Sequence, residues 1–215
     1  MNLLSYRKNI YSQNGEDGVI EEVLNRLNIK EGKFVEFGAW DGVYLSNTYN
    51  LLKNKNWQGF FIEGDREKYK ELEKLKMNHS DKLFIANEFV GFEGDSKLDF
   101  LIKKYTNFNK DFELLSVDID SFDYSVWDAT KEYNPIIVII EINSHVKPPT
   151  EQMHTPSDPS RQGSSFSTML KLGISKGYTL ICHTGNLIFI RNDKVNSINL
   201  EEEHLKEPNK IFISF

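Results

Sequence analysis

The sequence predicts a single α/β domain built on a seven-stranded, mostly parallel sheet, and three observations carry that reading. Short apolar runs alternate with amphipathic helical patterns along most of the chain, as in βα units. One run, residues 136–140, is apolar on every side chain, which suits a strand covered on both faces. The last two runs, 177–182 and 186–191, are separated only by His183-Thr184-Gly185, which predicts a hairpin and so one reversed strand at the end.

Composition narrows the class. The 215 residues fit one domain with a full core, read as spanning 1–215, with no linker, repeat or low-complexity segment. Charged residues make up 27% and hydrophobic ones 39%, a soluble globular balance. The formal charge of −6, from 26 basic and 32 acidic residues, leaves no electrostatic footprint for nucleic acid. Cys182 is the only cysteine, which fits a reducing compartment. No signal-peptide core opens the chain and no stretch is long enough to span a bilayer, so we expect a cytoplasmic protein with no membrane partner.

In chain order, Ser12-Gln13-Asn14-Gly15-Glu16-Asp17-Gly18 precedes apolar positions Val19, Ile20, Val23, Leu24 and Leu27, predicting a helix over 16–27 within an N-terminal cap segment, 11–30. Asn14 or Asp17 suits its start. Residues 33–37 form a first strand with Glu36 at its centre, and Gly38 and Gly42 bracket the turn before a helix over 46–55. Further strands are expected at 57–62 and 82–87, and helices at 66–77 and 98–105.

The Gly38 turn has the form of a ligand cradle. Glycines let the backbone approach a ligand, and free N–H groups at a helix start favour polar or anionic groups. About 25 residues on, the second strand ends in Glu63, where doubly wound nucleotide folds grip a ribose diol.

A second informative stretch, Leu114-Leu115-Ser116-Val117-Asp118-Ile119-Asp120-Ser121-Phe122-Asp123, is a strand ending in three acids. Period-2 geometry puts Asp118 and Asp120 on one side if the strand extends that far. The next strand ends in Glu141-Ile142-Asn143-Ser144-His145, bringing Asp118, Asp120, Glu141 and Asn143 to one sheet edge. Oxygen ligands of this kind suit Mg²⁺ or Mn²⁺, here Asp120, Glu141 and Asn143, and such an ion lowers the pKa of a bound hydroxyl. General-base catalysis by Asp118, Asp120 or His145 is the competing mechanism. Residues 144–165 follow, rich in proline and without periodicity, and are expected to cover a bound substrate, with Arg161 suited to an anionic group. A helix then runs over 163–172. The apolar end, Ile211-Phe212-Ile213-Ser214-Phe215, needs burial, as an edge strand or at an oligomer contact.

The segment Val35-Glu36-Phe37-Gly38-Ala39-Trp40-Asp41-Gly42 with Ser46-Asn47-Thr48 resembles the first motif of class I S-adenosylmethionine-dependent methyltransferases, and most of all the FkbM-like branch, whose members often methylate sugar or natural-product hydroxyls. The resemblance runs from about Tyr11 to about Arg191. It implies a Rossmann-like methyltransferase domain with S-adenosylmethionine as cofactor. It also implies cofactor-binding roles for Gln13, Asp17, Glu36, Gly38, Asp41, Asn47, Glu63, Asn87 and Asp118: Gln13, Glu16 or Asp17 at the methionine ammonium, the Gly38 turn and Asp41 at the amino-acid end, Asn47 fixing the turn, Glu63 on the ribose and Asn87 facing the adenine. The implied reaction is methyl transfer to an oxygen of a small polar acceptor such as a sugar, a nucleotide-linked sugar or a phosphoryl group. A NAD-dependent oxidoreductase or epimerase would need the G-x-G-x-x-G turn, but Trp40 stands where its second glycine belongs. A noncatalytic binding module leaves the acid cluster without a purpose, and a metal-dependent hydrolase does the same for Glu63.

Overall fold

The computed structural model describes residues 2–155 and 163–214. Seven strands run in chain order as β1 (Lys33–Phe37), β2 (Gln58–Ile62), β3 (Leu83–Ala86), β4 (Leu114–Val117), β5 (Ile137–Glu141), β6 (Tyr178–His183) and β7 (Asn186–Arg191). They form one sheet in the order β3-β2-β1-β4-β5-β7-β6. Strands β1 to β5 pair in parallel, and β7 is antiparallel to both β5 and β6. This is the predicted Rossmann-like sheet with its reversed strand. The tight turn makes β6 and β7 antiparallel neighbours, and β7 is the one that pairs with β5.

The helices are α1 (Glu16–Arg26), α2 (Tyr49–Asn54), α3 (Arg66–Asn78), α4 (Leu98–Tyr105), α5 (Asp123–Ala129), α6 (Phe166–Ser175) and a short α7 (Glu202–Lys206). Alternation along each strand sends successive side chains to opposite faces, so the sheet carries a core on each side. Val35, Phe60, Val117, Val138 and Phe189 pack under α4, α5 and α6. Phe34, Phe61, Leu114, Ile139 and Ile188 pack under α1, α2 and α3. No helix among the described residues is long and apolar enough to cross a membrane.

Three expectations are corrected. The helix predicted from Ser46 starts at Tyr49, because Ser46, Asn47 and Thr48 spend their polar groups on Glu36. The fourth strand stops at Val117, so Asp118 to Asp120 is loop, and Asp120 takes a left-handed φ of 58°. The C-terminal end forms a 3-10 turn, Pro208–Ile211, rather than an edge strand. Ile211 is buried, and the half-buried Phe212 stacks on His183 at 5.1 Å. Arg161 and most of the proline-rich stretch, 156–162, lie outside the described residues.

Candidate active site

The ends of β1, β2 and β4 bound a cavity of about 550 Å³, lined among others by Glu36, Gly38, Trp40, Glu63, Phe89 and Ile119. Its floor is the Gly38 turn. Gly38 has φ 71°, and a Cβ there would lie 1.7 Å from the carbonyl oxygen of Asp118, so only glycine lets β1 and the β4 loop approach this closely. Glu63 ends the β2 run and is 7% exposed. Its carboxylate accepts from the Trp40 N–H at 2.7 Å and the Asp65 N–H at 2.8 Å. The carboxylate thus ties the first turn to the second while facing the cavity, and its remaining lone pairs can meet a diol.

Glu36 is buried beneath the same floor. It accepts from the Ser46 hydroxyl at 2.7 Å, the Asn47 N–H at 3.0 Å and the Thr48 hydroxyl. Burial raises its pKa, and these hydrogen bonds oppose the rise. The N-terminal segment closes another side. Gln13 lines the cavity, and Ser12 bridges in parallel to Leu45.

A second cavity of about 660 Å³ lies beside the first, lined among others by Asn14, Asn143, Ser144, His145 and Asn186. Gln13, Asp118, Asp120 and Glu141 line both. The acid cluster is therefore the partition between them. Carboxylate oxygens of Asp118, Asp120 and Glu141 all lie within 4.8 Å of one another. The pleat does not bring them together. The left-handed turn at Asp120 does, with its N–H donating to Glu141 at 3.0 Å. Burial and the neighbouring acids raise the pKa of both Asp118 and Glu141, so the pair favours holding a proton between them. Asp123 is the third acid of the predicted run. It points inward, accepting from the Ile119 and Ser121 N–H groups, and burial pushes its pKa up to about 6.

Several predicted site residues sit elsewhere. Asp17 lines neither cavity; one of its oxygens accepts from the Ile10, Tyr11 and Ser12 N–H groups, so it shapes the N-terminal loop. Asp41 accepts from the Val43 and Tyr44 N–H groups as a turn-forming aspartate. The Asn47 side-chain NH₂ donates to the Ser116 hydroxyl on the neighbouring strand β4. Asn87 donates to the carbonyls of Glu63 and Gly64, and the next residues, Glu88, Phe89 and Val90, line the cavity in its place. Asn143 lines the second cavity with the three carboxylates, and its Oδ1 accepts from the His145 N–H. His145 is exposed at the second cavity. Reasoning from sequence missed Trp40 and Phe89 as lining residues; the positive φ that turns Trp40 outward leaves no composition signal.

No protein-family model matches the sequence, and no curated protein matches it. Solved structures do resemble the fold. The CurJ carbon methyltransferase superposes with a TM-score of 0.54 at 10% identity, covering 87% of this chain and 56% of its own. An S-adenosylmethionine-dependent methyltransferase from Clostridium acetobutylicum gives 0.48 at 10% identity, covering 82% of this chain and 90% of its own. The methyltransferase FkbM from Methylobacillus flagellatus gives 0.47 at 14% identity, covering 87% and 56%. The chain thus spans little more than half the length of the CurJ and FkbM structures. At 10% identity the CurJ likeness shows the fold and nothing finer.

Proposed function

We propose that the chain is an S-adenosylmethionine-dependent methyltransferase that methylates an oxygen of a small polar acceptor. The observation that carries this reading is the pair of adjoining cavities meeting at Asp118, Asp120 and Glu141. One lies over a glycine turn faced by the acid that ends β2, where a nucleoside fits a doubly wound sheet. The other is lined by the amides of Gln13, Asn14, Asn143 and Asn186 and the Ser144 hydroxyl, as a polyhydroxyl acceptor would need.

When bound, the cofactor supplies an electrophilic methyl group. The chain's contribution is alignment and a proton acceptor. Glu63 would hold the ribose, the Gly38 turn would admit the amino-acid end, and Gln13 would close over it. The Asp118–Glu141 pair would take the proton of the acceptor hydroxyl, and Asn143 and Ser144 would orient that acceptor. The three carboxylates also have the oxygen donors that suit Mg²⁺ or Mn²⁺, which would lower the pKa of a coordinated hydroxyl.

Thermal unfolding with S-adenosylmethionine, S-adenosylhomocysteine or NAD, with and without Mg²⁺ or Mn²⁺, tests the reading. A ligand at 100 times its Kd stabilises by about 2.7 kcal/mol, a Tm rise of roughly 5–10 °C for a chain of this size. A shift with the sulfur nucleotides that Glu63→Ala removes, while the protein stays folded, supports the proposal. A shift with NAD alone refutes it.

The acid pair makes a separate prediction. A carboxyl whose folded pKa is raised binds more protons folded than unfolded, so it leaves stability intact below the ordinary carboxylate pKa and erodes it as pH rises through the folded value. Tm should therefore fall from pH 5 to pH 8 in part because of Asp118 and Glu141. Glu141→Gln should flatten that slope and raise Tm at pH 8 by about 2–4 °C. A slope unchanged in this variant would mean the pair is not strained.

A further inference from the structure

Trp40 stands apart from the other tryptophans. Trp57 and Trp127 are each 1% exposed in the core, whereas Trp40 is 47% exposed. Its φ is 52°, the left-handed region that a bulky residue rarely adopts. That backbone turn carries the indole out to the rim of the first cavity. Two more exposed aromatics line the same cavity, Tyr44 at 59% and Phe89 at 78%. The Trp40 ring lies 5.7 Å from that of Tyr44, and the Lys68 ammonium sits 3.8 Å from its centroid, a cation–π contact that fixes the indole at the mouth. The Trp40 backbone N–H donates to Glu63, the acid placed to meet a ribose.

An unusual backbone conformation at a site points to a function when the surroundings hold it there. Here the N–H bond to Glu63 and the Lys68 contact hold it, and what they display is a flat apolar surface beside the diol-binding acid. We infer that the Trp40 indole is a binding residue for the nucleoside, packing on its outer side as the wall between cofactor and solvent. This inference rests on the cofactor reading above and adds to it a contact at a position where nucleotide turns carry glycine. Because Glu63 meets both the Trp40 N–H and the ribose, filling the site also fixes the wall.

Titration with S-adenosylhomocysteine, followed in parallel by calorimetry and by tryptophan emission, tests it. Trp57 and Trp127 are buried and do not line the cavity, so a change in emission on adding the ligand reports mainly on Trp40. The wild-type protein should show a saturable emission change with the Kd found by calorimetry, and Trp40→Phe should bind while losing that change. Trp40→Gly should bind roughly tenfold more weakly, the worth of one stacked aromatic, while its Tm stays level or rises, since glycine adopts this φ freely. A purely structural tryptophan would give the reverse, a lower Tm and an unchanged Kd. Calorimetric binding with no change in wild-type emission, or a glycine variant within about twofold of the wild-type Kd, overturns the inference and leaves the cofactor reading standing. If the glycine variant does not fold, the emission comparison with Trp40→Phe decides alone. Absence of any calorimetric binding to the wild type overturns both.

Discussion

Gly38→Ala should lower stability by about 3 kcal/mol and abolish binding of S-adenosylhomocysteine. Two costs add. An L-residue at φ 71° bears a left-handed penalty of about 1 kcal/mol. The new methyl would also lie 1.7 Å from the Asp118 carbonyl oxygen, a backbone atom that cannot rotate aside, and overpacking of this kind costs about 1–3 kcal/mol. The relief available is a shift of the β4 loop, which carries Asp118 away from Glu141 and opens the partition between the cavities. Gly177→Ala is the control. Gly177 has φ 84°, but a Cβ there meets nothing within 4 Å, so only the backbone penalty of about 1 kcal/mol applies. Urea denaturation of the two variants separates the terms. Equal losses would show that the contact with Asp118 relaxes freely and that Gly38 is a turn residue and no more.

The parts of this architecture visible in the sequence are those set by local periodicity. The bounds of β1 and α4 match their apolar patterns, and the hairpin follows from two runs separated by three residues. The acid cluster was visible as residue types but for an incomplete reason. Pleat geometry pairs Asp118 with Asp120 only if the strand reaches that far; the strand ends at Val117, and the left-handed turn at Asp120 brings the carboxylates together. Asp17 and Asp41 show a general limit of reading acids from sequence. Each sits in a polar, glycine-flanked stretch that suits ligand binding, and each spends one oxygen on nearby backbone N–H groups. A carboxylate in a turn serves either purpose, and only the direction of the side chain distinguishes them. The C-terminal segment is held by His183, about 30 residues earlier, through the Phe212 ring and the Ile213 N–H, a contact that no local pattern encodes.

Glu36 carries the other large expected effect. It is a carboxylate 5% exposed in the middle of a sheet, held there by three donors from the segment that leads into α2. Thr48 occupies the N-cap position of α2 without a side-chain cap bond, and Ser46 instead accepts from the Thr48 and Tyr49 N–H groups while donating to Glu36. The carboxylate therefore anchors the start of the helix through Ser46. Glu36→Ala removes three hydrogen bonds at about 1 kcal/mol each and leaves a cavity, for a loss of about 4 kcal/mol in chemical denaturation. Glu36→Gln keeps the volume and, like the protonated acid that burial favours, carries no charge. Its amide oxygen still accepts, and the hydroxyls of Ser46 and Thr48 can rotate to meet its NH₂, so the loss should be about half as large. Since Glu36 also lines the first cavity, the glutamine variant separates two roles. If it folds but binds S-adenosylhomocysteine poorly, the charge itself serves the ligand. If binding falls only in proportion to stability in both variants, Glu36 acts solely by holding the turn, and recognition rests on Glu63 and Trp40.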